Sequence, residues 1–390
     1  MQRSTTRILT TFCGSLARPA DLLTMMQAKE RGQSYDHKAF TARVRDAVAE
    51  VVHQQVESGV DIVTDGEQGK ASFVTYVSER LAGFEPRQTL PRAGPWEGSR
   101  EALAFPEYYE WYARGRPGNV AAARRMVCTG PITYKGQEAL QTDIDNLKAA
   151  LTDMPVAEAF MPAISPTNIE AQQPNEYYPT EEAYLYAIAD AMREEYNRIV
   201  AAGFLLQIDD PRLVTYYVAH PEAGLAQCRT WAESRVEVLN HALRDIPPDR
   251  VRFHTCYSIN IGPRVHDMPL QDIVDVILKI NAGAYSFEAA NPRHEHEWRV
   301  WERVRFPEGK VLIPGVISHT TNLVEHPELV AERLIKYAQV VGREQVIAGS
   351  DCGFSSFATT EPEVHPSVVW AKFQAMAEGA RLATRHLWRH

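Results

Sequence analysis

Residues 254–256 read His-Thr-Cys. On an extended strand, alternate residues point to the same face, so His254 and Cys256 would present an imidazole and a thiol side by side. Two further ligand types follow, a carboxylate at Glu288 and a second thiol at Cys352. One histidine, two cysteines and one carboxylate suit tetrahedral zinc. An isolated H-x-C pair is more often structural; the set of four is what points to Zn2+. Two thiolates and a carboxylate already exceed the metal's charge by one. That weakens its Lewis acidity, so a hydrolase is the less attractive reading. It favours a bound sulfur that stays a nucleophilic thiolate.

These residues are distant in sequence, so the fold has to gather them. One pattern recurs: a short apolar run ends in a polar or glycine-containing cluster, and a helical stretch follows. Eight such runs cover 8–15, 60–67, 157–166, 204–211, 251–257, 284–291, 311–319 and 345–353. Helical periodicity lies between many of them, at 40–58, 181–202, 225–244, 271–280 and 328–341, and again at 367–387. Alternating strand and helix means a parallel sheet. Eight repeats predict an α/β fold, a single (β/α)8 TIM barrel. No GxGxxG or P-loop pattern follows the first strand, which argues against an open doubly wound sheet. A ninth apolar run, 126–134, and the irregular stretch before it, 85–119, fall outside the count. Together they predict an excursion over 85–136, between strands two and three, inserted in one barrel spanning 1–390.

The C-terminal strand ends of such a barrel converge on one mouth, where catalysis occurs. Here those ends are Cys13-Gly14-Ser15, Asp65-Gly66-Glu67, Asp209-Asp210, His254-Thr255-Cys256, Glu288, His319 and Asp351-Cys352. Plainer roles stand beside the chemical ones. Asp65 suits a cap, Asp209-Asp210-Pro211 suits a turn, and His294-Glu295-His296-Glu297 reads as a polar helix start. The aromatic cluster Tyr108–Tyr112 suits packing, or a lid over the mouth.

At 45% hydrophobic and 23% charged, the 390-residue chain has ordinary globular composition. A net charge of −9 argues against a nucleic-acid surface. No run approaches the roughly 20 apolar residues of a membrane span, and no signal peptide is read, so a cytoplasmic protein is expected. Five scattered cysteines are no disulfide framework. Cys13, Cys128 and Cys228 read as small buried structural residues.

Seven short motifs, in order, carry a resemblance: GSLARP at 14–19, DGE at 65–67, LQIDDP at 206–211, HTCY at 254–257, SFEAAN at 286–291, GVISH at 315–319 and SDCG at 350–353. Over nearly its whole length the chain resembles the catalytic C-terminal barrel of the cobalamin-independent methionine synthases. The resemblance implies zinc on His254, Cys256, Glu288 and Cys352. It implies that Ser15 holds an amino-acid carboxylate, that Glu67 and Asp209 hold its ammonium, and that His319 is the catalytic acid. The implied function is zinc-dependent S-alkylation of a small-molecule thiol by an alkyl donor, most simply methyl transfer to homocysteine. Full-length members carry a second, N-terminal barrel, whereas these 390 residues hold the repeats of one. Short single-barrel relatives include epoxyalkane:coenzyme M transferases, which open an epoxide with a zinc-held thiolate, and enzymes that take methyl from corrinoid proteins. A non-catalytic zinc- or thiol-binding barrel is the alternative of a different class; His319, Glu67 and Asp209 argue against it, since a structural zinc needs none of them.

The donor side departs from the family. Its Gly-Pro-Val-Thr segment reads Met161-Pro162-Ala163-Ile164-Ser165 here, and Ile169 stands where a tryptophan stacks on folate. Aromatic stacking contributes about 0.5–1.5 kcal/mol beyond area burial. Methyl-folate is therefore expected to bind weakly, as measured by calorimetry. Tight binding with turnover would show that another aromatic, such as Tyr134, takes the stacking role.

Overall fold

The computed structural model describes residues 1–87, 96–113, 120, 125–258 and 262–388. Eight strands form its main sheet: β1 (Leu9–Thr10), β2 (Ile62–Val63), β3 (Glu158–Ile164), β4 (Leu205–Asp209), β5 (Val251–His254), β6 (Ala284–Phe287), β7 (Val311–Ile317) and β8 (Ile347–Ser350). They pair in parallel from β2 through β3 to β8 and on to β1. The expected (β/α)8 barrel is the observed fold.

The seam between β1 and β2 is closed largely by side chains. Asp61 N donates to Thr10 O at 3.1 Å. The Asp61 carboxylate accepts from Thr10 N at 2.9 Å and from Thr10 Oγ1 at 3.1 Å. Thr11 Oγ1 donates to Ile62 O at 3.0 Å. The first two apolar runs thus form only two ladder residues each. Their distal halves leave the ladder to line the mouth, and the left-handed Gly66 (φ 65°) and Glu67 (φ 56°) turn the second one inward.

Inside the barrel, the side chains fall into layers. Phe160 and Leu205 share a register row near the base, in an apolar cluster with Leu9, Ile62 and Ile347. The next row holds Gln207, Arg252, Ala284 and Val311. Above it stand Asp209, His254, Ser286 and Ile313. The interior therefore changes from apolar to polar towards the mouth.

Outside, the amphipathic helices His37–Glu57, Glu181–Ala201, Leu225–Ala242, Pro327–Val341 and Pro366–Leu387 cover the strands. Two of them start where side chains satisfy free amides: Asp36 accepts from Ala39 N, and Thr180 from Ala183 N. The segment read as a helix over 271–280 is shorter, a 3-10 turn at Leu270–Asp272 and a helix at Val274–Ile277. Its Ile273, Val274, Val276 and Ile277 are buried while Gln271, Asp275 and Lys279 are exposed, so the amphipathic pattern is present but the α-helix itself is confined to about one turn.

Between β2 and β3, strands Phe84–Arg87 and Arg125–Cys128 pair antiparallel, apart from the barrel sheet. Helices Arg100–Ala104 and Pro106–Ala113 belong to the same excursion, of which 88–95, 114–119 and 121–124 lie outside the described residues.

Asp61 replaces much of a missing ladder, so Asp61→Ala leaves Thr10 N without its acceptor, while Thr10 Oγ1 keeps Gly59 O. A loss of about 2–3 kcal/mol is expected in denaturant unfolding, the scale of losing charge-assisted hydrogen bonds in a partly buried seam. An unchanged midpoint would show that the seam is held elsewhere.

Candidate metal centre

β5 carries Arg252 and His254 on its inner face, and Cys256 continues that alternation beyond the ladder. Cys352 follows β8. Cys256 Sγ and Cys352 Sγ are 3.2 Å apart, and both thiols are free and buried. The donor atoms of His254, Cys256 and Cys352 all lie within 4.8 Å of one another. His254 Nε2 is buried without a hydrogen-bond partner. Orphaned buried polar atoms are rare in folded proteins. One beside two thiols fits a soft, tetrahedral divalent metal. Burial, helped by the charges of Arg252 and His319, lowers the His254 pKa to about 3. The imidazole is thus neutral, the form that binds metal. The hydrogen bond shared with Cys256, with burial, pushes the Cys352 thiol well above its usual range. A bound cation would reverse that and hold the thiolate.

Glu288 stands beside this trio. Its Oε1 accepts from Tyr257 N at 2.6 Å, and its Oε2 from Asn291 Nδ2 at 2.7 Å and Arg293 Nη2 at 3.0 Å. Both oxygens are thus engaged by the protein, while the carboxylate remains close enough for its charge to act on Cys352. Behind it, Arg293 and His294 share Asp267, and His294 also meets Glu297. The His294–Glu297 sequence read as a helix start opens a 3-10 helix, Glu295–Glu302, and its first histidine buttresses the site. Tyr257 stacks on His294 at 3.9 Å.

A second cluster faces the same mouth. Asp209 is in register with His254, and its Oδ1 accepts from Gln207 Nε2 at 2.8 Å. Glu67 Oε1 lies 3.7 Å from Lys70 Nζ, while Glu67 Oε2 is buried with no hydrogen-bond partner. Burial raises the pKa of both carboxyls, and the charge of Glu67 raises that of Asp209 further. Two carboxylates that crowd each other in this way suit a shared cation. Ser15 Oγ accepts from Ser355 N at 3.3 Å, and any side chain at Gly353 would run into it. Arg18 is committed to the carbonyls of Leu16, Ser355 and Lys70, with only its buried Nε lacking a partner.

His319, just past β7, is 3% exposed. Neither ring nitrogen has a hydrogen-bond partner of good geometry, although the Ser258 backbone raises its pKa somewhat. Burial outweighs this and the pull of Asp351, and lowers the pKa to about 4.

Several residues here were not singled out in the sequence. Gln207 and Arg252 sit two positions before Asp209 and His254, so period-two spacing on an inward face was the signal. Cys13, read as structural, places its sulfur 3.4 Å from His254 Nδ1. Asp65, read as a helix cap, accepts instead from Glu67 N at the head of a turn. Asp210 accepts from Leu213 N and Asn168 Nδ2. Ile169 is fully buried in the main core, and the Tyr134 hydroxyl donates to Glu195. The aromatic helix of the excursion packs Tyr109 with Trp96 and Val218. Arg264 lies over the Trp96 ring, and Glu101 accepts from Val265 N and His266 N. The excursion is thereby fastened to the segment that follows Cys256.

An eight-stranded parallel barrel with a His-Cys-Cys cluster where its strands end defines a (β/α)8 barrel with a thiol-rich cluster that could hold a metal ion. The chain belongs to the cobalamin-independent synthase family, whose catalytic-domain model matches residues 8–90 and 104–372. Methionine synthases of Thermococcus kodakarensis and Saccharolobus islandicus are each 24% identical to it, over 97% of this chain and 94% and 96% of theirs. Among solved structures, a B12-independent methionine synthase from Shewanella sp. W3-18-1, in complex with selenomethionine, superposes with a TM-score of 0.69 at 19% identity, covering 98% of this chain and 99% of that one. A putative vitamin-B12-independent methionine synthase from Listeria monocytogenes gives 0.66 at 17%, covering 98% and 100%. These two show the fold. Among the described residues, no helix is long and apolar enough to cross a membrane.

One zinc per chain is expected by metal analysis. Cys256→Ser and Cys352→Ser should each lose most of it, since each removes a thiolate. Full occupancy in both would place any zinc elsewhere.

Proposed function

We propose that the chain is a zinc-dependent S-methyltransferase acting on an amino-acid thiol, with homocysteine the first candidate. One observation carries this: the buried, unpartnered Glu67 Oε2, beside Asp209, on the same barrel mouth as His254, Cys256 and Cys352. Family membership and the methionine synthases among the relatives support the same chemistry.

Zinc held by His254, Cys256 and Cys352, with Glu288 alongside as the fourth candidate, would supply acidity to a substrate thiol and keep its sulfur a thiolate at neutral pH. The protein's own residues do the rest. Glu67 and Asp209 take the substrate ammonium through charge-assisted hydrogen bonds. Ser15 and neighbouring backbone amides receive the carboxylate. The buried walls of the mouth exclude water. His319 is neutral as it stands, so it serves as an acid for the donor's leaving atom only once negative charge gathers at the mouth and raises its pKa. The donor is a small molecule that delivers methyl. Ile169 lies in the core and gives a folate ring no surface to stack on.

The epoxide-opening alternative needs a sulfonate thiol, coenzyme M. Here the cations are already committed: Lys70 donates to Pro162 O, and Arg18 to three carbonyls. The carboxylates keep free acceptor capacity, and that suits an ammonium and repels a sulfonate.

Zinc–sulfur coordination by X-ray absorption, with homocysteine and coenzyme M in parallel, is the direct test. Glu67→Gln should weaken homocysteine roughly 10-fold or more, the equivalent of one charge-assisted hydrogen bond of about 1.5–3 kcal/mol. The same change should leave coenzyme M unaffected or improved. Coordination of coenzyme M alone by the unmodified protein would replace the amino-acid reading with epoxide opening.

A further inference from the structure

A neutral imidazole carries one N–H, and a metal can take only the other nitrogen. Which nitrogen is free depends on what the N–H finds. In His254 the two nitrogens have opposite surroundings. Nε2 is buried and has no hydrogen-bond partner. Nδ1 lies 3.2 Å from Ser286 Oγ and 3.4 Å from Cys13 Sγ.

Both neighbours can accept: Cys13 has its own proton placed elsewhere, and the Ser286 hydroxyl takes whichever role the ring's tautomer sets. The Cys13 S–H donates to Ser350 O at 3.3 Å, which leaves sulfur lone pairs for Nδ1. Ser286 is buried in the same register row as His254, one strand along. Cys13 is itself clamped: its N donates to Ser350 Oγ at 3.2 Å, and its carbonyl accepts from Gln207 Nε2 at 2.5 Å. The ring therefore meets fixed partners at one edge and two thiols at the other. Cys13 is a fully buried thiol that the methyl-transfer chemistry does not use, and the tautomer gives it a task.

We infer that Ser286 and Cys13 are positioning residues, which together accept the Nδ1–H of His254 and so turn its Nε2 lone pair towards the metal; this rests on the reading that His254, Cys256 and Cys352 hold zinc. The hydroxyl is the stronger acceptor and the sulfur the weaker, so the two should contribute unequally. Removing Ser286 leaves the N–H on a poor acceptor. Removing both frees the ring to rotate or to change tautomer.

The test uses the full chain and two readouts. Zinc affinity is measured by competition with a chromophoric chelator, and the tautomer of His254 by imidazole nitrogen–proton correlation in the metal-free and zinc-loaded protein. Loss of a ligand's outer partner typically costs 10–100-fold in metal affinity. Ser286→Ala is expected within that range, Cys13→Ala at or below its lower end, and the double variant beyond either. Ser286→Thr and Cys13→Ser keep an acceptor in place and should stay within about threefold of the parent, on the same scale. The metal-free parent should show Nδ1–H, and the double variant a mixture. The inference is overturned if the double variant binds zinc as the parent does, or if zinc sits on Nδ1. It is overturned equally if Ser286→Thr loses as much as Ser286→Ala, for then packing and not the hydrogen bond is responsible. A parent chain that binds no zinc, yet shows Nδ1–H, would instead remove the metal reading and leave the tautomer assignment standing.

Discussion

Two sulfurs 3.2 Å apart must be supplied by strands that are not neighbours, and the barrel mouth is shaped by that requirement. β6 and β7 lie between β5 and β8 in the sheet. The chain after β6 therefore has to turn aside, and the Asp351 side chain holds that turn, accepting from Ala289 N and Ala290 N at 2.7 Å each. β7 has to let Asp351 pass, and it does so at Gly315, where any Cβ would collide with Asp351. The residue next to one sulfur thus fixes the strand end that carries Glu288. Glu288 and the thiol pair are consequences of one close approach, more than independent placements.

So many acids and thiols at one place need positive charge nearby. The barrel supplies it from below. Arg252 is buried in the layer under His254, with its guanidinium 3.9 Å from the centre of the Phe160 ring, and it donates to Thr11 Oγ1 and Phe12 O. Burial lowers its pKa to about 10, so it remains a cation at neutral pH. An isolated buried charge would be costly. The aromatic face, two acceptors and the acidic mouth above make this one tolerable. The same guanidinium fastens the strand end that delivers Cys13 and Ser15, so charge balance and geometry share a side chain.

Much of this was legible in the sequence because the barrel repeats a simple unit. Alternating apolar runs and helical periods gave eight strands, and polar residues at the run ends marked the mouth. His254 and Cys256 were readable as a pair because strand periodicity is local. What escaped depended on contacts across the sheet. Nothing near Cys13 in sequence announces that it meets His254, 241 positions away. Arg252 and Gln207 follow the inward alternation, yet charged and amide side chains within a barrel run against the usual apolar filling. The short helix at Val274–Ile277 was overestimated because the buried and exposed residues of 271–280 keep a helical period past the one turn that forms. The donor side is least legible, since the family's segment departs over 161–165 and Ile169, in place of a stacking aromatic, is buried in the core.

Glu67 is held at φ 56°, in a region that side-chain-bearing residues enter at a cost of about 1 kcal/mol or more. Glycine or asparagine would relax that backbone, and neither carries a charge to be buried. Thermodynamic selection and functional selection therefore pull in opposite directions at this position. A library of this barrel sorted for thermal tolerance alone should enrich small residues at 67 and drift away from the carboxylate. Barrels of this kind that have lost the activity should show the relaxed residue early, because reversion there meets an uphill step.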